Sequence, residues 1–397
     1  MSLRLAERSK WVAPSATMAM AAEAARLKAT GVEVFDFTLG EPDFPTPENV
    51  CRAAQRAMAE GKTHYTPAAG IAPLREAIAR HYSSSAGLPI DPQQVVVSNG
   101  AKHSIHNALM ALCGPGDEVI IPAPYWVSYA ELVRLTGAEP VIIPTTEAEG
   151  FLLSPDRFRQ AVTPRSKLLM INSPSNPTGA IYDKADLEAL ADAVLETEVG
   201  VISDEIYEEL TYDGARAHVF ASLRPGLADR TVTISGVSKT YAMTGWRIGW
   251  AAAPASVSKF MGALQSQETS NPSSISQWAA LEAITGPKDA IARMLGEFTK
   301  RRAYVIDRVA GLKDVSFTPP RGAFYAFINV EKHFGRTIGG VEVTDSTSFC
   351  QAALSSARVA LVMGSAFGAE GYVRISFATG MDTLGRGFDA LGAMLEG

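Results

Sequence analysis

The chain has 397 residues, of which 47% are apolar and 20% charged, and its net charge is −6. That length suits two domains of an ordinary globular protein rather than one small core. The acidic balance argues against nucleic acid as a partner, since such proteins carry a basic face, but it leaves room for a local positive pocket. Cys51, Cys113 and Cys350 are too far apart to suggest a disulfide framework or a zinc site, so no metal is expected.

In chain order, the N-terminal MSLRLAERSKWVAPSATMAM has no apolar core of signal-peptide length. No apolar run reaches transmembrane length, so a cytoplasmic protein with no membrane partner is expected. QQVVVS, from Gln93, reads as a strand and precedes a helical stretch over Ala101–Leu112. DEVIIP, WVSYAELVRLTG and EPVIIP read as strand, helix and strand. KLLMIN is a strand followed by a Pro-rich loop and a helix over Ala185–Leu195, and VGVIS and TVTIS complete the series. Such alternation predicts parallel βαβ units with helices on both sheet faces. Ligands of such sheets gather beyond the carboxyl ends of the strands.

From about Ile284 the pattern changes. A helix over Arg293–Leu312 precedes VSFTPPRGAFYAFINV, which alternates as an antiparallel strand pair does. Phe349–Ser356 reads as helical, VALVMGS and GYVRISFA as strands, and Thr383–Leu395 as a closing helix. The expected fold class is α/β, a mainly parallel central sheet with helices on both faces, plus a smaller α+β domain. The expected division is a large domain over residues 46–288 and a small one over 289–397, with residues 1–45 joining the small domain.

One segment concentrates unusual residues, Gly236-Val237-Ser238-Lys239-Thr240-Tyr241-Ala242-Met243-Thr244-Gly245-Trp246-Arg247-Ile248-Gly249. A lysine follows directly on a β-rich run, among small residues. Lysine forms a Schiff base only when its amine is neutral, against an ordinary pKa of about 10.4. Burial or neighbouring cations lower that value. Arg247, flanked by glycines, offers the planar fork that suits a phosphate. Either residue alone is more often a surface lysine or a structural arginine. Their spacing here favours a site.

This segment resembles the pyridoxal-phosphate attachment signature of the class I and II aminotransferases, a fold type I family. The likeness extends over nearly the whole chain through LGEPDFPTP from Leu39, HYTPAAGI from His64, SNGAKH from Ser98, PAPYWVSY from Pro122, NSPSNPTG from Asn172, SDEIYEEL from Ser203 and RISFA from Arg374. It is nearest to the prokaryotic-type (I-beta) aspartate aminotransferases, including those that also use prephenate.

The resemblance implies pyridoxal 5'-phosphate as cofactor, carried by the catalytic Lys239. Asp204 would face the pyridine nitrogen, while Tyr207 and Asn176 would hydrogen-bond the ring oxygen. Trp126 would stack on the ring. Gly100, Ala101, Ser238 and Arg247 would hold the phosphate, joined by Tyr65 from the neighbouring subunit of a homodimer with shared active sites. Arg374 would grip the substrate α-carboxylate, with Gly40, Trp126 and Asn176 beside it. Lys102 would face the distal carboxylate of a dicarboxylic substrate, and Thr17 matches members that accept prephenate. The Ala123-Pro124 and Asn176-Pro177 bonds would be cis. The implied activity exchanges the amino group of aspartate or glutamate with 2-oxoglutarate or oxaloacetate, prephenate being a further substrate.

Taken bare, several of these residues have plainer readings: Asp204 as a helix N-cap, Asn176 as a turn residue, Trp126 as core, Lys102 as a solvated first-turn lysine. Two rivals share the cofactor site, a C–S lyase of the same fold and an aminotransferase with aromatic preference. A third, a cofactor-binding transcriptional regulator, would need an added N-terminal domain, for which the stretch before GEPDF is too short.

Overall fold

A computed structural model describes residues 3–11 and 16–396. Its strands are β1 (Phe35–Asp36), β2 (Val95–Ser98), β3 (Glu118–Ala123), β4 (Glu139–Pro144), β5 (Ser166–Asn172), β6 (Gly200–Asp204), β7 (Thr231–Gly236) and β8 (Gly249–Ala252). They continue with β9 (Ser316–Phe317), β10 (Tyr325–Asn329), β11 (Thr337–Ile338), β12 (Val341–Glu342), β13 (Val359–Ala360), β14 (Val362–Met363) and β15 (Tyr372–Ser376).

Seven strands form the central sheet in the order β2-β8-β7-β6-β5-β3-β4. Every pairing from β7 through β4 is parallel, whereas β8 runs antiparallel to both β7 and β2. The apolar runs are near-continuous because both faces are covered. Alternate residues of β3 serve opposite sides. Val119 and Ile121 pack with Ile105, Leu109 and Val133 of the helices Ala101–Leu112 and Ser128–Thr136. Ile120 packs with Leu187, Leu190 and Val194 of the helix Lys184–Leu195.

A second sheet, β14-β15-β10-β9, is antiparallel throughout. The helix Asp289–Ala310 buries Met294, Phe298, Arg301, Arg302, Val305 and Val309, a stripe at helical spacing. β1 pairs in parallel with β13 through Phe35↔Val359 and Asp36↔Ala360, which ties the segment before residue 45 to this part of the chain. VALVMGS is thus two short strands in different sheets, where the sequence reads as one.

The sequence pattern leaves β8 unassigned, because Gly249-Trp250-Ala251-Ala252 is short and mostly small. Its direction has a consequence for the site. Since β8 runs against its neighbours, it is its amino end that meets the carboxyl ends of β2 and β7, with Gly249 opposite both Ser98 and Gly236. Arg247 is thereby delivered to the edge where ligands of parallel sheets bind.

Gly249 permits this approach. A Cβ there would lie 2.2 Å from the Ala101 amide nitrogen and 2.6 Å from the Gly100 carbonyl carbon, both rigid backbone. Gly249→Ala should therefore lower stability by about 1–3 kcal/mol, as overpacking does. A thermal unfolding midpoint equal to that of the wild type would refute this account of the contact.

Candidate active site

The chain segments Ser98, Asn172, Asp204 and Gly236 each end a strand at one edge of the central sheet. Beyond them lies a cavity of about 450 Å³. Of the residues expected from the sequence, Gly40, Ala101, Lys102, Trp126, Asn176, Asp204, Tyr207, Ser238, Lys239, Arg247 and Arg374 all line it. Gly100 sits directly behind Arg247. Tyr65 is 89% exposed and does not line the cavity. Thr17 falls in the helix Ala16–Ala29, and its side chain lies outside the described residues. The Ala123-Pro124 and Asn176-Pro177 bonds are cis, as is Ser173-Pro174.

Asp204, the last residue of β6, is buried, and its carboxylate accepts from the Tyr129 hydroxyl at 2.6 Å and the Ile206 amide at 3.2 Å. Burial pushes its pKa up to about 6, against the pull of those two bonds. Lys239 shows the opposite shift. Surrounding protein, together with Arg374 and Arg247, lowers its pKa to about 8, with Glu41 and Asp204 opposing. Its Nζ donates to the Gly40 carbonyl.

Arg374, on β15, is buried without a carboxylate. Its Nη1 donates to Asn176 Oδ1 at 3.0 Å and its Nη2 to the Thr38 carbonyl at 2.8 Å, and the guanidinium lies 4.4 Å from the Tyr325 ring centre. Its Nε is buried with no partner among the described residues. Tyr325 also meets Tyr207, hydroxyl to hydroxyl, at 3.0 Å.

Arg247 adopts a positive φ of 56° and donates to the Thr244 carbonyl at 2.9 Å and the Asn99 carbonyl at 3.4 Å. Gly100, at φ +87°, caps the helix Ala101–Leu112, and a Cβ on it would lie 2.4 Å from Arg247 Nη2, so only glycine lets the guanidinium lie over this turn. The cap supplies no side-chain bond, which leaves the first helical amides to a ligand. Lys102, on the same helix, stands 4.9 Å over the Trp126 ring, and burial followed by Arg247 lowers its pKa.

Sequence reasoning passed over Tyr129, Tyr325, Thr38 and Glu41, which also line the cavity. None carries a local signal. Tyr325 sits in an alternating strand, Tyr129 in an amphipathic helix, and Thr38 contributes only its backbone carbonyl.

The donor set fits pyridoxal phosphate. Among the described residues, Lys102, Lys239, Arg247 and Arg374 form no ion pair with a carboxylate. An anionic group can meet Arg247, Ser238 and the amides of the Gly100 turn, a carboxylate can meet the orphaned Arg374 Nε, and a cationic ring nitrogen can meet Asp204. No group of His, Cys, Asp or Glu suited to a metal occurs among the described residues.

Residues 32–390 match the model of the family described as aminotransferase class I and II. An aspartate aminotransferase of Geobacillus stearothermophilus is 43% identical over 394 residues, 99% of each chain. An aspartate/prephenate aminotransferase of Cereibacter sphaeroides is 45% identical over 94% of each chain. Among solved structures, the aspartate aminotransferase of Rhizobium meliloti superposes with a TM-score of 0.96 at 40% identity, covering 100% of this chain and 99% of that one. That of Thermus thermophilus with maleate gives 0.93 at 40% identity, covering 99% and 100%.

The Lys239 shift has a sign that can be measured. Between about pH 8 and the ordinary value of 10.5, the unfolded chain binds a proton at this amine that the folded chain does not. Stability of the cofactor-free protein should therefore rise with pH across that window through this group. In Lys239→Met that contribution disappears, so urea unfolding at pH 8 and pH 10 should show a larger gain for the wild type. Equal gains in both proteins would mean that Lys239 titrates normally.

Proposed function

The chain belongs to the class I and II aminotransferases, and from that premise we propose that it exchanges the amino group of aspartate or glutamate with 2-oxoglutarate or oxaloacetate. Pyridoxal phosphate is the general cofactor of the family. When bound, it supplies an electron sink for negative charge developing at the substrate Cα.

This reading rests on one observation, the four cations around one cavity that have no carboxylate partner among the described residues. Each has a task. Lys239 Nζ would anchor the cofactor and, once displaced by the substrate amine, would take the proton from the substrate Cα and deliver it to the cofactor carbon C4′, which requires the neutral amine that a pKa near 8 makes accessible. Arg247, Ser238 and the amides of Gly100 and Ala101 hold the phosphate. Asp204 keeps the pyridine nitrogen protonated, Tyr207 and Asn176 hold the ring oxygen, and Trp126 covers the ring. Arg374 and Gly40 bind the α-carboxylate, which is the partner that Arg374 Nε lacks. The two half-reactions use this one set of residues in turn.

Lys102 lies across the cavity from Arg374 in role, as the group for a distal carboxylate. The names of the relatives, and maleate, a dicarboxylate, with the Thermus thermophilus enzyme, support that choice. Relatives named for prephenate support it as a further acceptor, with Thr17 assisting. A lyase would use Lys239 and Asp204 equally but leaves Lys102 without a task. The exposed Tyr65 serves the neighbouring subunit's phosphate in a homodimer. The small domain, residues 289–397 with 1–45, carries Arg374 against the large one, 46–288.

Paired kinetics test the substrate assignment. Losing the partner of a fully buried charge costs about 3–5 kcal/mol, and the cost is less at Lys102, which this structure leaves exposed to water. Lys102→Ala should lower kcat/KM for aspartate by about two orders of magnitude and affect alanine or an aromatic donor much less. Equal losses for charged and neutral donors would sink the dicarboxylate assignment.

Subunit mixing tests the shared site. Tyr65→Ala and Lys239→Ala are each expected to be strongly impaired, and Lys239→Ala inactive. Hybrids should regain part of the activity, since one of their two sites has both residues intact. No recovery in hybrids isolated as dimers would remove Tyr65 from the neighbour's site.

A further inference from the structure

Behind the phosphate-facing turn lies a group of side chains that no step above uses. Asn99, the residue before Gly100, is held from three directions. Its amide donates to His103 Nδ1 at 3.3 Å, its side-chain Nδ2 donates to Thr269 Oγ1 at 3.1 Å, and its carbonyl accepts from Arg247. His103 is one turn along the helix that Gly100 caps, with its side chain 14% exposed. Its other ring nitrogen, Nε2, meets Glu268 Oε2 at 3.2 Å, and Glu268 Oε1 meets His106 Nε2 at 3.3 Å. Glu268 closes the helix Ala255–Glu268.

These contacts fix the state of the ring. An Nδ1 that accepts from a backbone amide must keep its lone pair, so the proton sits on Nε2 and is donated to Glu268. Glu268 therefore selects the tautomer that holds Asn99. Burial favours this neutral ring by lowering the His103 pKa, His106 adds to that effect, and Glu268 opposes it. Those two are the titratable groups facing the ring, Glu268 from the packed helix and His106 from its own. Protonation would place a hydrogen on Nδ1 against the Asn99 amide and release the turn.

We propose that His103, oriented by Glu268, is a positioning residue for the cofactor phosphate: its neutral ring fixes Asn99 and thereby the amides of Gly100 and Ala101. The inference rests on the reading that the phosphate sits at that turn. It predicts an effect confined to ligands carrying a phosphate, and an effect that depends on the protonation of one histidine.

The experiment measures equilibrium binding of pyridoxal phosphate and of pyridoxal, which lacks the phosphate, to cofactor-depleted wild type, His103→Leu and His103→Asn at pH 8 and at pH 5, below the lowered His103 range. His103→Leu removes the acceptor and should weaken pyridoxal phosphate binding about three- to tenfold at pH 8, the worth of one such hydrogen bond, with pyridoxal unchanged. His103→Asn keeps an acceptor oxygen that does not titrate. It should bind pyridoxal phosphate within about twofold of wild type at pH 8 and lose less affinity than wild type between pH 8 and pH 5. Equal weakening of both ligands in His103→Leu, or an Asn variant whose pH profile matches the wild type, overturns the proposal. Should His103→Leu fail to fold, the pH profile of His103→Asn decides alone. Borohydride trapping on wild type separates this from the reading beneath it: cofactor on a lysine other than Lys239 overturns both, whereas cofactor on Lys239 with unaffected variants overturns only the role of His103.

Discussion

Positive charge at the cavity is held by neutral acceptors, and much of the surrounding architecture serves that arrangement. Arg374 donates to the Thr38 carbonyl and the Asn176 side-chain oxygen, Arg247 to the carbonyls of Thr244 and Asn99, and Lys239 to the Gly40 carbonyl. Lys102 rests over Trp126. A carboxylate partner would satisfy each cation more fully, but it would also spend the charge. Carbonyl oxygens orient the side chains and leave the charge for a ligand. The contrast with Arg301 is instructive. That arginine is similarly buried but bonds Asp43 at 2.6 Å, and it serves structure rather than binding.

Neutral acceptors have to be brought from distant parts of the chain, which explains the connectivity around the cavity. Thr38 and Gly40 belong to a stretch that is fixed at both ends. The Phe37 amide and carbonyl bond Ala360 on β13 and Ser376 on β15, while Asp43 is clamped by Arg301 of the long helix. Arg374 therefore finds its Thr38 acceptor only because the N-terminal segment packs on the small sheet. On the other side, β8 must run backward to bring Arg247 to the turn of Asn99 and Gly100. The glycines at positions 100 and 249 are the points where that crossing would otherwise collide.

The sequence made legible those parts of the site in which chemistry and spacing coincide. Lys239 and Arg247 share one loop with small neighbours, Asp204 follows an apolar run, and Arg374 interrupts one. Tyr129 and Tyr325 gave no such signal, because their roles depend on three-dimensional closure: Tyr129 meets Asp204, and Tyr325 meets both Tyr207 and Arg374. The parallel sheet was readable from its buried apolar strands. The helix Ser274–Thr285 was not, since its buried face is Ser276, Gln277, Ala279, Ala280 and Ala283, which form no apolar stripe. Gln277 is tolerated there because its oxygen accepts from the Ile71 amide and its nitrogen donates to the Pro272 carbonyl.

Burial acts on the two ends of the cavity in opposite senses, and the chemistry needs both. It makes Lys239 easier to deprotonate and Asp204 harder to ionise, because desolvation disfavours whichever form carries charge. A neutral lysine is the state that the proposed attachment and proton transfer require, so there the shift would assist directly. A protonated Asp204 would not hold a pyridine nitrogen in its cationic form. The proposed ligand would itself resolve that conflict, since a cation placed against a buried carboxylate favours the ionised form. The Tyr129 hydroxyl and the Ile206 amide already lean the same way. On the proposed reading, the site would hold its base easier to deprotonate than a free lysine, and a cationic ring nitrogen bound against Asp204 would complete the ionised state of the acid.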